Sequence, residues 1–266
     1  KLGRFIGRRM RRRRHVVDVN LRLCFPQLTA DERARLTSAH FAALGRGLFE
    51  SGLAWFASDR RLAPHGRVEG LEHFHGATRN GRGALLLTGH FTTLEIGARY
   101  LCIAGVPFHA MYRPINNAVI DFCMHRWRQR RSGLPALPKD DLKKLVRALR
   151  GGASIWYGPD QTLELRGALK VPFFGVPVLT VTATSRLAEL GRAAVVPYMP
   201  RREGAKYIVQ FQPALEPFPT GDDLADTTRV NHAIEAGVLA AREQYFWVHR
   251  RFKPFRPGDV DVYDGR

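Results

Sequence analysis

Apolar residues change their period near Pro64. From Leu28 to Phe56, the segment LTADERARLTSAHFAALGRGLFESGLAWF places Leu36, Phe41, Leu44, Leu48 and Trp55 at helical spacing. Thr29, or Asp31 for a start one turn later, can cap it, which predicts one long helix or two joined near Gly45 and Gly47. Upstream, Leu2, Phe5, Ile6, Met10 and Val17 alternate with basic residues to about Asn20. That stretch predicts either an amphipathic helix lying on a surface or a terminal helix packed on the body.

Beyond Pro64, short apolar runs take over: GALLLT (83–88), FHAMY (108–112), ASIWY (153–157), AAVVPYM (193–199) and YIVQF (207–211). Helical segments are predicted between and after them, at about Leu94–Ala104, Ala118–Arg131, Asp140–Arg150, Val181–Leu190 and Leu224–Gln244. Strands alternating with helices predict an α/β fold with a mixed central sheet flanked by helices, whose sites form at the carboxyl ends of strands. The change of texture divides the chain into a basic, helical, membrane-proximal region (1–63) and an α/β domain (64–266). The PFFGVPV run (172–178) reads as core or buried loop, or as the lining of a hydrocarbon channel.

The 42 Lys plus Arg outnumber the 24 Asp plus Glu, for a formal charge of +18. Such a balance seeks phosphates, on nucleic acid, on anionic lipid or on a phosphorylated substrate. Cys24, Cys102 and Cys123 are widely spaced and form no CxxC pair, which argues against a disulfide framework and a zinc site. No uncharged apolar run reaches the ~18 residues of a spanning helix.

Candidate chemistry gathers at predicted strand ends. His90 and Glu95 follow GALLLT in TGHFTTLE, and the turn between them allows the two to converge. A carboxylate on the far ring nitrogen would fix the imidazole tautomer for taking a proton from a hydroxyl. Taken alone, the HxxxxE spacing recurs by chance in a chain with ten histidines. Arg113 follows FHAMY, and Asp160 and Gln161 follow ASIWY. Arg113 suits a phosphate or a developing oxyanion, whereas Asp160 fits either a site or an Asx turn after proline. HRWRQRR (125–131) forms a basic stripe with an aromatic, without any nucleic-acid motif beside it. GxSxG, GxGxxG, Walker and HExxH patterns are all missing, which disfavours serine-hydrolase, dinucleotide, nucleotide-driven and zinc-protease chemistry.

In order along the chain, NLRLCFPQLTADER, LFESGLAWF, GHFTTLEIG, MYRPINN, WYGPDQ, VPFFG and EQYFWVHRRFKPFRPG resemble the late acyltransferases of lipid A biosynthesis, of the Kdo-dependent lauroyl-transferring type. These lie within the lysophospholipid acyltransferase superfamily with its HxxxxD/E motif. The resemblance implies a glycerol-3-phosphate acyltransferase-like fold. It further implies transfer of a fatty acyl chain, laurate above all, from acyl carrier protein to the hydroxyl of an acyl chain already on a Kdo-bearing lipid A precursor. The alternatives are a myristoyl or palmitoleoyl donor, a lysophospholipid acceptor, or a non-catalytic basic module binding membrane or nucleic acid. By the same resemblance His90 is the general base and Glu95 its partner, and Arg113, Arg131, Asp160 and Gln161 bind substrate. No metal or cofactor is implied beyond the acyl carrier protein thioester as co-substrate, and no nucleic-acid partner. The expected location is the cytoplasmic face of the bacterial inner membrane, on its anionic surface, with a membrane helix expected before Lys1. The chain departs from the family pattern at Thr92, Thr162 and Glu164.

Overall fold

The computed structural model describes residues 2–113, 117–161, 167–255 and 258–264. Helices α1 (Leu2–Arg9), α2 (Arg11–Cys24) and α3 (Ala30–Phe56) open the chain. The basic N-terminal stretch is thus two helices parted at Met10. The second packs inward: Val17, Asn20 and Leu21 are fully buried, while Arg11, Arg12 and Arg13 stay exposed. Thr29 starts α3 with a capping box, its hydroxyl accepting from the Glu32 backbone and the Glu32 carboxylate accepting from the Thr29 backbone at 2.8 Å. Helix α3 runs unbroken through Gly45 and Gly47, because those glycines serve close approach. A Cβ at Gly45 would stand 2.7 Å from Gly3, and one at Gly47 would stand 2.4 Å from the Thr92 carbonyl oxygen.

The short α4 (Asp59–Leu62) leads to β1 (Gly66–Glu69) and α5 (Leu71–Ala77). Strands and helices then alternate through β2 (Ala84–Leu87), α6 (Leu94–Ile103), β3 (His109–Tyr112), α7 (Ala118–Ser132), β4 (Leu137–Pro138), α8 (Leu142–Arg150) and β5 (Ser154–Tyr157). The hairpin of β6 (Ala168–Phe173) and β7 (Val176–Val181) precedes α9 (Ala183–Gly191), β8 (Ala194–Glu203), β9 (Lys206–Phe211) and α10 (Asp223–Ala240).

Seven strands form the main sheet in the order β1-β9-β8-β2-β5-β3-β4, all pairs parallel except β8 with β9. The sheet is therefore mixed and flanked by helices, as the alternation of runs predicts. Central β2 is wholly buried, and its side chains alternate between two cores. Leu85 and Leu87 join Val17, Leu21, Ile234 and Trp247 on one face; Ala84 and Leu86 join Ile96, Tyr100 and Phe108 on the other.

PFFGVPV is a hairpin rather than a loop. Pro172 and Pro177 sit opposite each other in a separate two-stranded sheet, where missing N–H donors interrupt no wider ladder. Phe174 and Gly175 take positive φ at the turn, while Phe173 and Val178 are buried in the first core. No described helix is long and apolar enough to cross a membrane.

Candidate active site

Strands β2 and β5 are paired in parallel with Leu87 beside Tyr157, so they release the chain at the same level. Three residues beyond each partner stand His90 and Asp160. The His90 ring donates from Nδ1 to Asp160 Oδ1 at 2.5 Å, and the His90 backbone N–H donates to Oδ2 at 2.8 Å. One carboxylate thus fixes both the ring and the loop that bears it.

Asp160 is 1% exposed. Burial alone would raise its carboxyl, but the His90 charge, both bonds from His90 and the Arg251 guanidinium outweigh that and hold it at about 2. Arg251 is itself buried, donating to the Leu179 carbonyl at 2.7 Å and the Thr180 hydroxyl at 2.9 Å, with its guanidinium over the Phe173 ring. The Tyr245 hydroxyl, raised far above its ordinary value by burial and by Asp160, is a further neutral neighbour. With Nδ1–H committed to Asp160, Nε2 is left as the proton acceptor. The loop is clamped from behind: the Phe246 backbone N–H donates to the His90 carbonyl at 2.9 Å, and Phe91 bridges Tyr245. Gly158 lets the strands' exits close, since a Cβ there would lie 3.1 Å from both the His90 ring and Trp156.

The expected convergence of His90 and Glu95 does not occur. Glu95 lies in the first turn of α6, where its carboxylate accepts from Trp55 Nε1 of α3 at 2.8 Å and pairs with Arg128 of α7, Nε to Oε1 at 3.1 Å. The turn before α6 sends His90 toward the end of β5, whereas the helix carries Glu95 toward α3 and α7. The ring's carboxylate partner is instead 70 residues away in sequence.

His90, Glu95 and Arg128 line one cavity of about 220 Å³, with Trp55, Ala98, Cys102, Phe108, Ala110 and Trp156 forming much of its wall. Arg131 lines it too, its guanidinium donating from Nε to the Trp55 carbonyl at 2.9 Å, and exposed Arg113 borders it. Gln161 is not part of that lining. Of the two readings of Asp160, the structure gives it the histidine. Residues Pro114 to Asn116 of MYRPINN, and Thr162 and Glu164, lie outside the described residues. Trp127 of the basic run stacks on Trp55 at 5.0 Å and meets Phe56 edge-on at 4.7 Å, so it ties α7 to α3.

Arg128 and Trp55 escaped the sequence reading. Met124, Arg128 and Arg131 fall on one stripe at i, i+4 and i+7, a signal that this part of α7 faces the body.

A buried carboxylate orienting an imidazole above an apolar cavity is acid–base machinery suited to group transfer between apolar substrates. The profile described as bacterial lipid A biosynthesis acyltransferase matches residues 1–254. The lipid A biosynthesis lauroyltransferase of Escherichia coli (strain K12) is 39% identical, over 97% of this chain and 85% of that one. The palmitoleoyltransferase of the same strain is 35% identical over 96% and 83%, and its myristoyltransferase 28% identical over 99% and 82%. Among solved structures, the chain is similar to the 1-acyl-sn-glycerophosphate acyltransferase PlsC of Thermotoga maritima, with 15% identity and a TM-score of 0.43 over 88% of this chain and 99% of that one.

The protein is an acyltransferase. More narrowly, the chain belongs to the bacterial lipid A biosynthesis acyltransferase family, which implies a lipid A precursor as its substrate.

Proposed function

We propose that this enzyme transfers a fatty acyl chain, laurate in particular, from an acyl carrier protein thioester to a hydroxyl of a Kdo-bearing lipid A precursor. The observation that carries the chemistry is the His90–Asp160 pair beside an apolar cavity. His90 takes the acceptor's hydroxyl proton at Nε2, and the alkoxide attacks the thioester carbonyl. The carbonyl's developing negative charge falls to the arginines of the cavity, Arg128 foremost. When the tetrahedral intermediate collapses, the C–S bond breaks, an ester remains and the imidazolium returns its proton to the departing thiolate. Asp160 stabilises the imidazolium without itself accepting the proton.

Glu95 has a different task in this reading: it holds Arg128 against Trp55 at the cavity wall. Arg113 and Arg131 supply positive charge for the acceptor's phosphates or the carbonyl, and Gln161 contributes beside Asp160. The reaction calls for no metal or other cofactor.

Laurate is supported by the higher identity to the lauroyltransferase than to the palmitoleoyl or myristoyl relatives. The site works at the anionic cytoplasmic face of the inner membrane. In support, Leu48, Phe49, Leu53 and Phe56 of α3 and Val119, Ile120 and Phe122 of α7 are exposed, with exposed Arg126 and Arg130 nearby on α7. A competition assay with acyl carrier protein thioesters of ten to sixteen carbons, about the span of common bacterial acyl chains, tests donor and acceptor together. The expected product is a laurate ester on the Kdo-bearing lipid; a longer preferred chain overturns the laurate assignment, and no transfer to that lipid overturns the reading.

A further inference from the structure

The Glu95–Arg128 pair is a partition with apolar space on both sides. One side is the cavity at His90. The other is a groove of about 560 Å³ between α1, α3, α7 and the loop after β2, whose lining includes Leu44, Leu48, Ser51, Phe91, Met124 and Phe246. Leu94, Glu95 and Arg128 belong to both linings. Helix α3 comes against the His90 loop at Gly47, where a side chain would strike the Thr92 carbonyl, and Gly47 and Thr92 both line the groove. The Thr92 hydroxyl is buried, borders this groove and has no hydrogen-bond partner among the described residues.

Acyl transfer onto a hydroxyl that itself sits on an acyl chain brings two long alkyl chains to one carbonyl carbon. Each chain continues past the reacting atoms and needs its own apolar track, because neither can lie in water without losing the burial that binds it. We infer that the groove beyond Glu95 and Arg128 holds the acceptor lipid's hydroxyl-bearing acyl chain, while the cavity at His90 holds the donor's.

Two features favour the acceptor for the groove. Met10 of its lining is followed in the chain by exposed Arg11 and Arg12, a positive cluster suited to the anionic headgroup of the acceptor rather than to an acyl chain alone. Its outer edge carries Leu48, 75% exposed, so a chain can enter sideways from a bilayer instead of threading from one end. The inference rests on the acyltransferase reading above, and the test separates the two.

The test is photo-crosslinking of the whole chain with a hydroxyacyl-glucosamine phosphate bearing a diazirine near the end of its acyl chain, beside an acyl-pantetheine thioester labelled likewise. Labels from the first are expected on Leu44, Ser51 or Met124, and labels from the second on Cys102, Phe108 or Ala110. Acceptor labels confined to the His90 cavity overturn the inference, whether or not the enzyme turns over. In parallel, Ser51→Phe should raise the acceptor KM by roughly tenfold or more and leave donor chain preference alone. Ala110→Phe should do the opposite, shifting preference to shorter donors. Should Ser51→Phe fail to fold, Met124→Trp fills the groove from α7. Donor preference that shifts with a groove variant while the acceptor KM stays constant also overturns it. Absence of all transfer by the unaltered enzyme, with the crosslinks still placed as expected, condemns the reaction and not the groove.

Discussion

The strand-end pair and the helical rim of the cavity are built by opposite rules. His90 stands just past wholly buried β2 and Asp160 just past largely buried β5, and Asp160 is 1% exposed with both oxygens engaged. Helices α3 and α7 leave Phe49 at 64% and Phe122 at 63% exposure. Proton transfer tolerates little positional error, so its groups are held by a rigid sheet. Recognition of a long flexible lipid requires open apolar surface, so its groups are carried on helices that the core holds from one side.

Substitutions can break that division. Asp160→Asn, which keeps the shape but offers the wrong hydrogen-bond partner, should lower kcat by roughly 10³-fold or more, with His90→Ala at least as damaging. Steady-state turnover with thermal melts beside it measures this; an Asp160→Asn enzyme within tenfold of the parent would sink the pairing as the catalytic unit. Next in size, Glu95→Gln or Arg128→Ala should cost about 10²-fold, because the charge facing the carbonyl is loosened or lost. Arg128→Lys should recover little of it, since a point ammonium cannot reproduce the fork held by Glu95. If Glu95→Gln proved as damaging as His90→Ala, Glu95 would have a direct part in proton transfer.

On the rim, Phe49→Ser combined with Leu53→Ser should weaken binding to anionic vesicles by roughly tenfold. Turnover on detergent-dispersed substrates should barely change. Sedimentation with vesicles would read the first, and equal binding by both proteins would refute the membrane face.

The smallest effect concerns two imidazoles withdrawn from water, fully buried His40 of α3 and half-buried His249 of the C-terminal tail. His40 has no partner at Nε2 among the described residues and donates from Nδ1 to the Glu243 carbonyl at 3.0 Å; burial pushes it down to about 4. His249 is also lowered to about 4, by burial and by the Lys253 and Arg251 charges. Between the unfolded value near 6.5 and the folded value near 4, the unfolded chain binds protons that the folded one refuses. Stability from both groups is therefore complete above about pH 6.5 and falls as pH drops toward 4, by at most ~1.4 kcal/mol per pH unit for each. Denaturant melts from pH 7 to 4.5 should show the slope, and His40→Leu should flatten it; an unchanged slope would assign the acid sensitivity elsewhere.

Much of this architecture was legible in the chain. ALLL, SIWY and AVVPYM read as strands because strands buried on both faces are continuous apolar runs, and of the two candidate caps for α3, Thr29 and Asp31, the structure uses Thr29. Pairing of strands distant in sequence was not legible, and with it went the partner of His90. Spacing along the chain favoured Glu95, five residues on, whereas sheet register chose Asp160. Arg128 was hidden among the arginines of HRWRQRR, since a charge run does not announce which member faces inward. The prolines of PFFGVPV concealed a hairpin for a related reason, because only the pairing of one proline with the other makes them tolerable there.

The level exit of β2 and β5 makes the site a matter of counting. Leu87 and Tyr157 are neighbours, and the same number of residues leads from each to its functional side chain. One residue inserted or deleted between Tyr157 and Asp160 would throw the carboxylate out of step with the ring, however well the strands still paired. The segment between His90 and the start of β5 is under no such constraint, provided that β5 still returns to its place beside β2. Among homologues, the lengths of those two short exits should thus be held more strictly than the length of anything between them.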